Sequence, residues 1–254
     1  MTGLSTLVQG AGPALLLVHG AGGSVQANYG PVLPALSRHF TVVAPDLPGS
    51  GRSPGGTRPL ELEALADELV DVVTGAGHES FFVSGYSMGC AVAVTAAVRH
   101  PERVRGLVLS APFVKLDAAA RATSDRWAEL LDGPPEELAR FILAVMCSEQ
   151  YLARLSPAQL EGLAELISAS LPPGSPAHLE LLTRIDLTGA LPRITQPTLV
   201  IGASGDRLLS PDLGKEVAGL VPGSRYTDLP CGHAIAAESA GPWARLITDF
   251  LVSV

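Results

Sequence analysis

The chain has 254 residues, 47% hydrophobic and 17% charged, with 17 basic against 25 acidic side chains for a formal net charge of −8. That length buries a sizeable core in one large α/β domain or two small ones, and the apolar, weakly charged composition excludes disorder. The acidic balance opposes binding to a phosphate backbone and no basic cluster offsets it, so a nucleic-acid partner is not expected.

The start, Met1-Thr2-Gly3-Leu4-Ser5, lacks the basic region and apolar core of a signal peptide. No apolar stretch approaches a membrane span, so a cytoplasmic protein without membrane association is expected. Ala14 to Val18 reads as a buried strand feeding the glycine-rich loop His19-Gly20-Ala21-Gly22-Gly23. Asn28 to Ser37 fits a short helix interrupted by Pro31 and Pro34, and Phe40 to Ala44 fits the next strand. Asp46-Leu47-Pro48-Gly49-Ser50-Gly51-Arg52-Ser53 is a loop in which Gly49 and Gly51 permit unusual backbone angles, so Asp46 and Arg52 read as structural. Leu60 to Val73 spaces its apolar residues as an amphipathic helix with an acidic, solvated face. Phe81 to Gly85 is then an apolar strand, Ser87 the apex of a sharp turn, and Met88 to His100 a helix of small residues.

Gly85-Tyr86-Ser87-Met88-Gly89 fits G-x-S-x-G, whose glycines let strand and helix approach while the serine holds a strained conformation. The alternative is a plain βα turn, but the strand–turn–helix setting favours a nucleophile. On these residues the chain resembles the α/β-hydrolase family. The resemblance implies an oxyanion hole in which the amide of Ala21, after His19-Gly20, is joined by that of Met88. It also implies that the antiparallel start of the sheet is shortened here, because only some thirteen residues precede the first strand. Residues 46–53 look like the D-x-P-G-x-G-x-S loop of the family, with Ser50 where histidine is frequent, and Cys90 stands where a further glycine is common.

Val104 to Leu109 continues the strands, and this alternation predicts a mostly parallel sheet with helices on both faces. From Phe113 to Leu187 only helical stretches appear, at Ala119 to Leu131, Pro135 to Leu155 and Pro157 to Leu171. Such an insertion is expected to be a helical cap over 113–187, dividing a core domain of 1–112 and 188–254. Within it Trp127, Phe141, Met146 and Tyr151 are candidates for an apolar acyl pocket, to which Gly20 and Tyr86 would also contribute; core packing is the plainer role for such residues. The sheet resumes at Pro197 to Gly202, and Asp206 follows past the strand's carboxyl end, where catalytic groups collect. Asp212 follows Pro211 at an apparent helix start, where a carboxylate serves free amides, so Asp206 is the expected acid. Arg225 to Leu229 is the last strand, and His233 sits in the loop after it. Ser87, Asp206, His233 is the chain order of a nucleophile-elbow triad.

Cys90, Cys147 and Cys231 are odd in number and dispersed, which suggests buried thiols rather than disulfides or a metal site. No cofactor or metal is expected. The expected function is a serine hydrolase acting through an acyl-enzyme on a small or medium apolar ester, lactone or thioester, in which His233 is the base, Asp206 orients it, and Ala21 and Met88 hold the oxyanion. Carbon–carbon bond hydrolysis, acyl transfer and non-catalytic small-molecule binding share this arrangement and stay open, as does a monomer or homodimer. Ser87 argues against dehalogenase and epoxide-hydrolase chemistry, which resemblance ties to an aspartate nucleophile.

Overall fold

The structure, a computed structural model, describes residues 3–56 and 58–254; Met1, Thr2 and Thr57, within the stretches read above, lie outside the described residues. Along the chain run β1 (Thr6–Gln9), β2 (Ala14–Val18), α1 (Val25–Tyr29), α2 (Leu33–Leu36), β3 (Thr41–Pro45), α3 (Leu62–Gly75), β4 (Phe81–Tyr86), α4 (Met88–Arg99) and β5 (Val104–Ser110). Five helices follow, α5 (Ala118–Leu130), α6 (Pro135–Met146), α7 (Glu149–Leu152), α8 (Pro157–Ala169) and α9 (Ser175–Leu182). The chain closes with β6 (Thr198–Ala203), α10 (Pro211–Leu220), β7 (Arg225–Leu229), α11 (Ile235–Glu238) and α12 (Ala240–Val252).

The seven strands form one sheet in the order β1, β3, β2, β4, β5, β6, β7. Only β1 is antiparallel to its neighbour, and every other pairing is parallel. Every residue of β2, β4 and β6 is buried, as a parallel sheet covered on both faces requires. Successive side chains then sort into two cores: Leu16 and Val18 of β2 join Leu65 of α3, Ala91 of α4 and Leu213 of α10, while Leu15 and Leu17 join Tyr29 of α1, Leu36 of α2 and Trp243 of α12. The α/β architecture expected from the alternation of apolar runs is therefore present.

Four elements differ from the sequence reading. The antiparallel start of the sheet is short, as the resemblance implied, but it holds a four-residue strand, β1, that the apolar pattern did not mark. The interrupted helix of 28–37 is two separate short helices, divided around Gly30 to Val32. The helix expected over 135–155 ends at Met146, because Cys147 is extended and Ser148 starts α7 by accepting the Tyr151 amide on its side chain. Helix α9 had no predicted counterpart. All three cysteines are free and buried. Among the described residues no helix is long and apolar enough to cross a membrane.

Candidate active site

Ser87 caps β4 with φ 54° and ψ −124°, a conformation that costs a non-glycine residue roughly 1–3 kcal/mol. The flanking glycines make the crossing of strand and helix close enough to hold it. A Cβ on Gly85 would lie 2.6 Å from the Gly89 carbonyl oxygen and 2.7 Å from Cys90 Cα, and one on Gly89 would lie 2.7 Å from the Val18 carbonyl carbon. Ser87 thus stands at the carboxyl end of β4 beside the amino end of α4, with its side chain largely buried.

Asp206 follows β6 and His233 follows β7, which brings both to the same end of the sheet. The His233 Nδ1 to Asp206 Oδ2 distance is 2.6 Å, and His233 Nε2 lies 3.0 Å from Ser87 Oγ. A carboxylate oxygen accepts, so Nδ1 carries the proton and Nε2 is left to accept from the Ser87 hydroxyl. Asp206 Oδ1 accepts the amides of Leu208 and Leu209, each at 2.9 Å, which locks the carboxylate plane. Asp212 lies instead in the first turn of α10, paired with Lys215 at 2.9 Å. Beneath the imidazole, the Tyr86 hydroxyl donates to the His233 carbonyl at 2.6 Å and its ring lies 5.2 Å from the His233 ring.

The loop after β2 is held by two buried imidazoles. His19 accepts the Leu47 amide on Nε2 at 2.9 Å and donates from Nδ1 to the Gly20 carbonyl at 2.8 Å. His178, from α9, accepts the Gly22 amide on Nδ1 at 3.2 Å and donates from Nε2 to the Pro48 carbonyl at 3.0 Å. Each bond to an amide fixes a neutral tautomer. Asn28 Oδ1 takes the Gly20 amide at 3.0 Å, while the Ala21 amide meets no acceptor among the described residues. Met88 is the first residue of α4, where an amide has no intrahelical partner. Gly20 permits this approach, since a Cβ there would lie 3.1 Å from Ser87 Cβ.

Burial lowers the pKa of His19 from 6.5 to about 4, and that of His178 below its ordinary value. Because the folded pKa of His19 is the lower one, its stabilising contribution is complete above pH 6.5 and is lost as the pH falls through about 4, roughly 3 kcal/mol in all. Denaturant midpoints measured across that range should fall with pH, and less steeply in His19→Gln; equal slopes would contradict the assignment.

Two cavities meet at the site. The smaller, about 40 Å³, is lined by Ser87, His233, Gly20, Phe113 and Leu179; the larger, about 280 Å³, by Ile142, Tyr151, Leu163 and Ile167. Ala21, Asn28, Tyr86, Trp127 and Met146 line both. Of the expected pocket residues, Gly20, Tyr86, Trp127, Met146 and Tyr151 reach these walls. Phe141 does not: it packs edge-on against Trp127 with the ring centroids 6.5 Å apart, so its place is behind the wall.

Glu238 joins the His233 loop to the break between α6 and α7. Its carboxylate accepts the Ser148 amide at 2.8 Å, the Ser148 hydroxyl at 2.6 Å and the Gly232 amide at 3.1 Å, and the Ala234 amide donates to the Met146 carbonyl at 2.8 Å. Sequence reading missed Glu238, Asn28 and His178. Ser148 followed by Glu149 was a legible helix start; nothing local marked the other three, whose partners lie far along the chain or in the backbone.

A strained serine after a central strand, with a histidine and an aspartate in line from later strand ends, is the arrangement of an α/β-hydrolase, and the chain belongs to that family, matching it over residues 13–240. It is similar to a pyrrolizixenacetamide deacetylase of Xenorhabdus hominickii, with 32% identity covering 98% of this chain and 95% of the relative. It is also similar to a pimeloyl-[acyl-carrier protein] methyl ester esterase of Methylococcus capsulatus, with 30% identity and 99% of each covered. Among solved structures a hydrolase from Pseudomonas aeruginosa PA01 superposes with a TM-score of 0.86 at 27% identity, covering 98% of this chain and 94% of that one. Hydrolysis is the class of reaction these relatives share.

Proposed function

We propose that the chain is a serine hydrolase that cleaves small-molecule esters, lactones or thioesters through an acyl-enzyme on Ser87. The observation that carries this reading is the continuous hydrogen-bonded line from Ser87 Oγ through His233 to Asp206, opening on an apolar cavity. His233 takes the Ser87 proton as Oγ attacks the carbonyl, and Asp206 stabilises the resulting imidazolium. The amides of Ala21 and Met88 hold the tetrahedral oxyanion, an interaction in which each donor contributes on the order of 3–4 kcal/mol at the transition state. The protonated imidazole then gives its proton to the leaving group, and water repeats the sequence to release the acid. Helices α5–α9, in the 113–187 region, act in this reading as a cap on a core of 1–112 and 188–254.

A second reading, a short-chain amide deacylase, draws on the deacetylase relative and on the small volume beside Ser87. A fluorophosphonate probe should label the peptide carrying Ser87 in a one-to-one ratio. Turnover of p-nitrophenyl esters, simple lactones and N-acetyl amides then separates the two readings by which bond is cleaved. A folded protein that takes no label and turns over none of them would leave binding alone as its role.

A further inference from the structure

The two amides that flank Ala21 are both consumed, that of Gly20 by Asn28 and that of Gly22 by His178. The Ala21 amide between them has no acceptor among the described residues, and Ala21 lines both cavities. Gly22 sits at φ 61°, so the chain turns sharply at the residue that His178 holds. His178 is fully buried and comes from α9, 156 residues away in sequence, so its grip ties a helix outside the sheet to the loop beside the nucleophile. The start of α9 is itself pressed against the core: the Gly174 amide donates to the Gly49 carbonyl at 2.9 Å, and a Cβ on Gly174 would lie 2.6 Å from the Pro48 carbonyl oxygen. That leaves His178 little freedom to follow the loop if the loop moves.

We propose that His178 is a positioning residue for the oxyanion hole, its Nδ1 acceptor holding Gly22 so that the Ala21 amide points at the substrate oxyanion. The proposal rests on the reading of Ser87 as the acylated nucleophile. A misdirected donor lowers the rate of the chemical step more than it weakens ground-state binding. Asparagine and glutamine separate the two bonds of the imidazole. In His178→Asn the side-chain oxygen replaces Nδ1 and keeps the Gly22 acceptor; in His178→Gln the amide reaches only the Nε2 position and keeps the Pro48 contact. His178→Phe fills the space and keeps neither.

The test is steady-state hydrolysis of a p-nitrophenyl ester by the wild type, these three variants and Ser87→Ala, with a thermal melt of each. The expected result is a kcat lowered roughly 10- to 100-fold in His178→Gln and His178→Phe, with KM within about twofold, and most of that kcat restored in His178→Asn although its melting temperature is no higher than that of His178→Gln. Equal kcat in the asparagine and glutamine variants, or a change confined to KM, would overturn the positioning role while leaving the hydrolase reading intact. Wild-type turnover that survives Ser87→Ala would overturn both.

Discussion

Asp206→Asn is expected to lower kcat about 10⁴-fold and leave the fold intact. The reason lies in how the two carboxylate oxygens are used. Oδ1 accepts the amides of Leu208 and Leu209, and an asparagine oxygen can keep both bonds. The new NH₂ group must then face His233 Nδ1, from which Oδ2 now lies 2.6 Å away. A donor at that position forces Nδ1 to accept, the imidazole proton moves to Nε2, and the base can no longer take the proton from Ser87. Asp212→Asn is the matched control, because that carboxylate is exposed in the first turn of α10, where it pairs with Lys215. Ester turnover with a thermal melt decides the matter: a kcat within tenfold of wild type in Asp206→Asn would remove Asp206 from the role, and an equal loss in Asp212→Asn would point to charge rather than geometry.

The second large effect is structural. Gly89→Ala should cost more than about 4 kcal/mol or leave the chain insoluble, because its Cβ would collide with the Val18 carbonyl oxygen and lie 2.8 Å from that of His19, both rigid backbone atoms. Relief would require α4 to lift away from β2 and β4, and β4 and α4 together carry the turn at Ser87. Gly75→Ala, at the end of α3 with no atom near the added methyl, should be neutral or slightly stabilising. Denaturant titration of both variants gives the comparison, and a small loss in Gly89→Ala would mean that α4 can shift without disturbing Ser87.

The same collision explains why this part of the molecule was readable from sequence. The glycines at 85 and 89 are demanded by a contact between neighbouring elements, so the requirement appears as a local motif. Strands buried on both faces leave uninterrupted apolar runs, and Asp206 could be found because it follows such a run; His233 follows β7, polar and mostly unburied, and was legible from its place in the chain order after Ser87 and Asp206. Other features leave no local trace. β1 is half exposed and only four residues long, too short for a pattern. Helix α9 joins the loops at 20–23 and 46–49 through one imidazole and one glycine contact, neither of which alters the periodicity of the chain. Trp127 on α5 and Phe141 on α6 are both aromatic, and only packing decides which of them reaches the cavity.

The helices above the sheet are fastened unevenly. The junction of α6 and α7 is tied down by Glu238, and α9 by His178 and Gly174. Helix α8 has a single buried residue, Ala164, yet its Leu163, Leu166 and Ile167 form the outer wall of the larger cavity. One chamber is therefore walled by elements tied to the sheet and its loops, while the other has a side, α8, that rests on α6 and buries little of its own surface. In an ester series the limb lodged beside Ser87 should meet a sharp upper limit in size, while the limb beneath α8 should be tolerated over a gradual range. Selectivity would then be strict at the reacting end of the substrate and lenient at its far end.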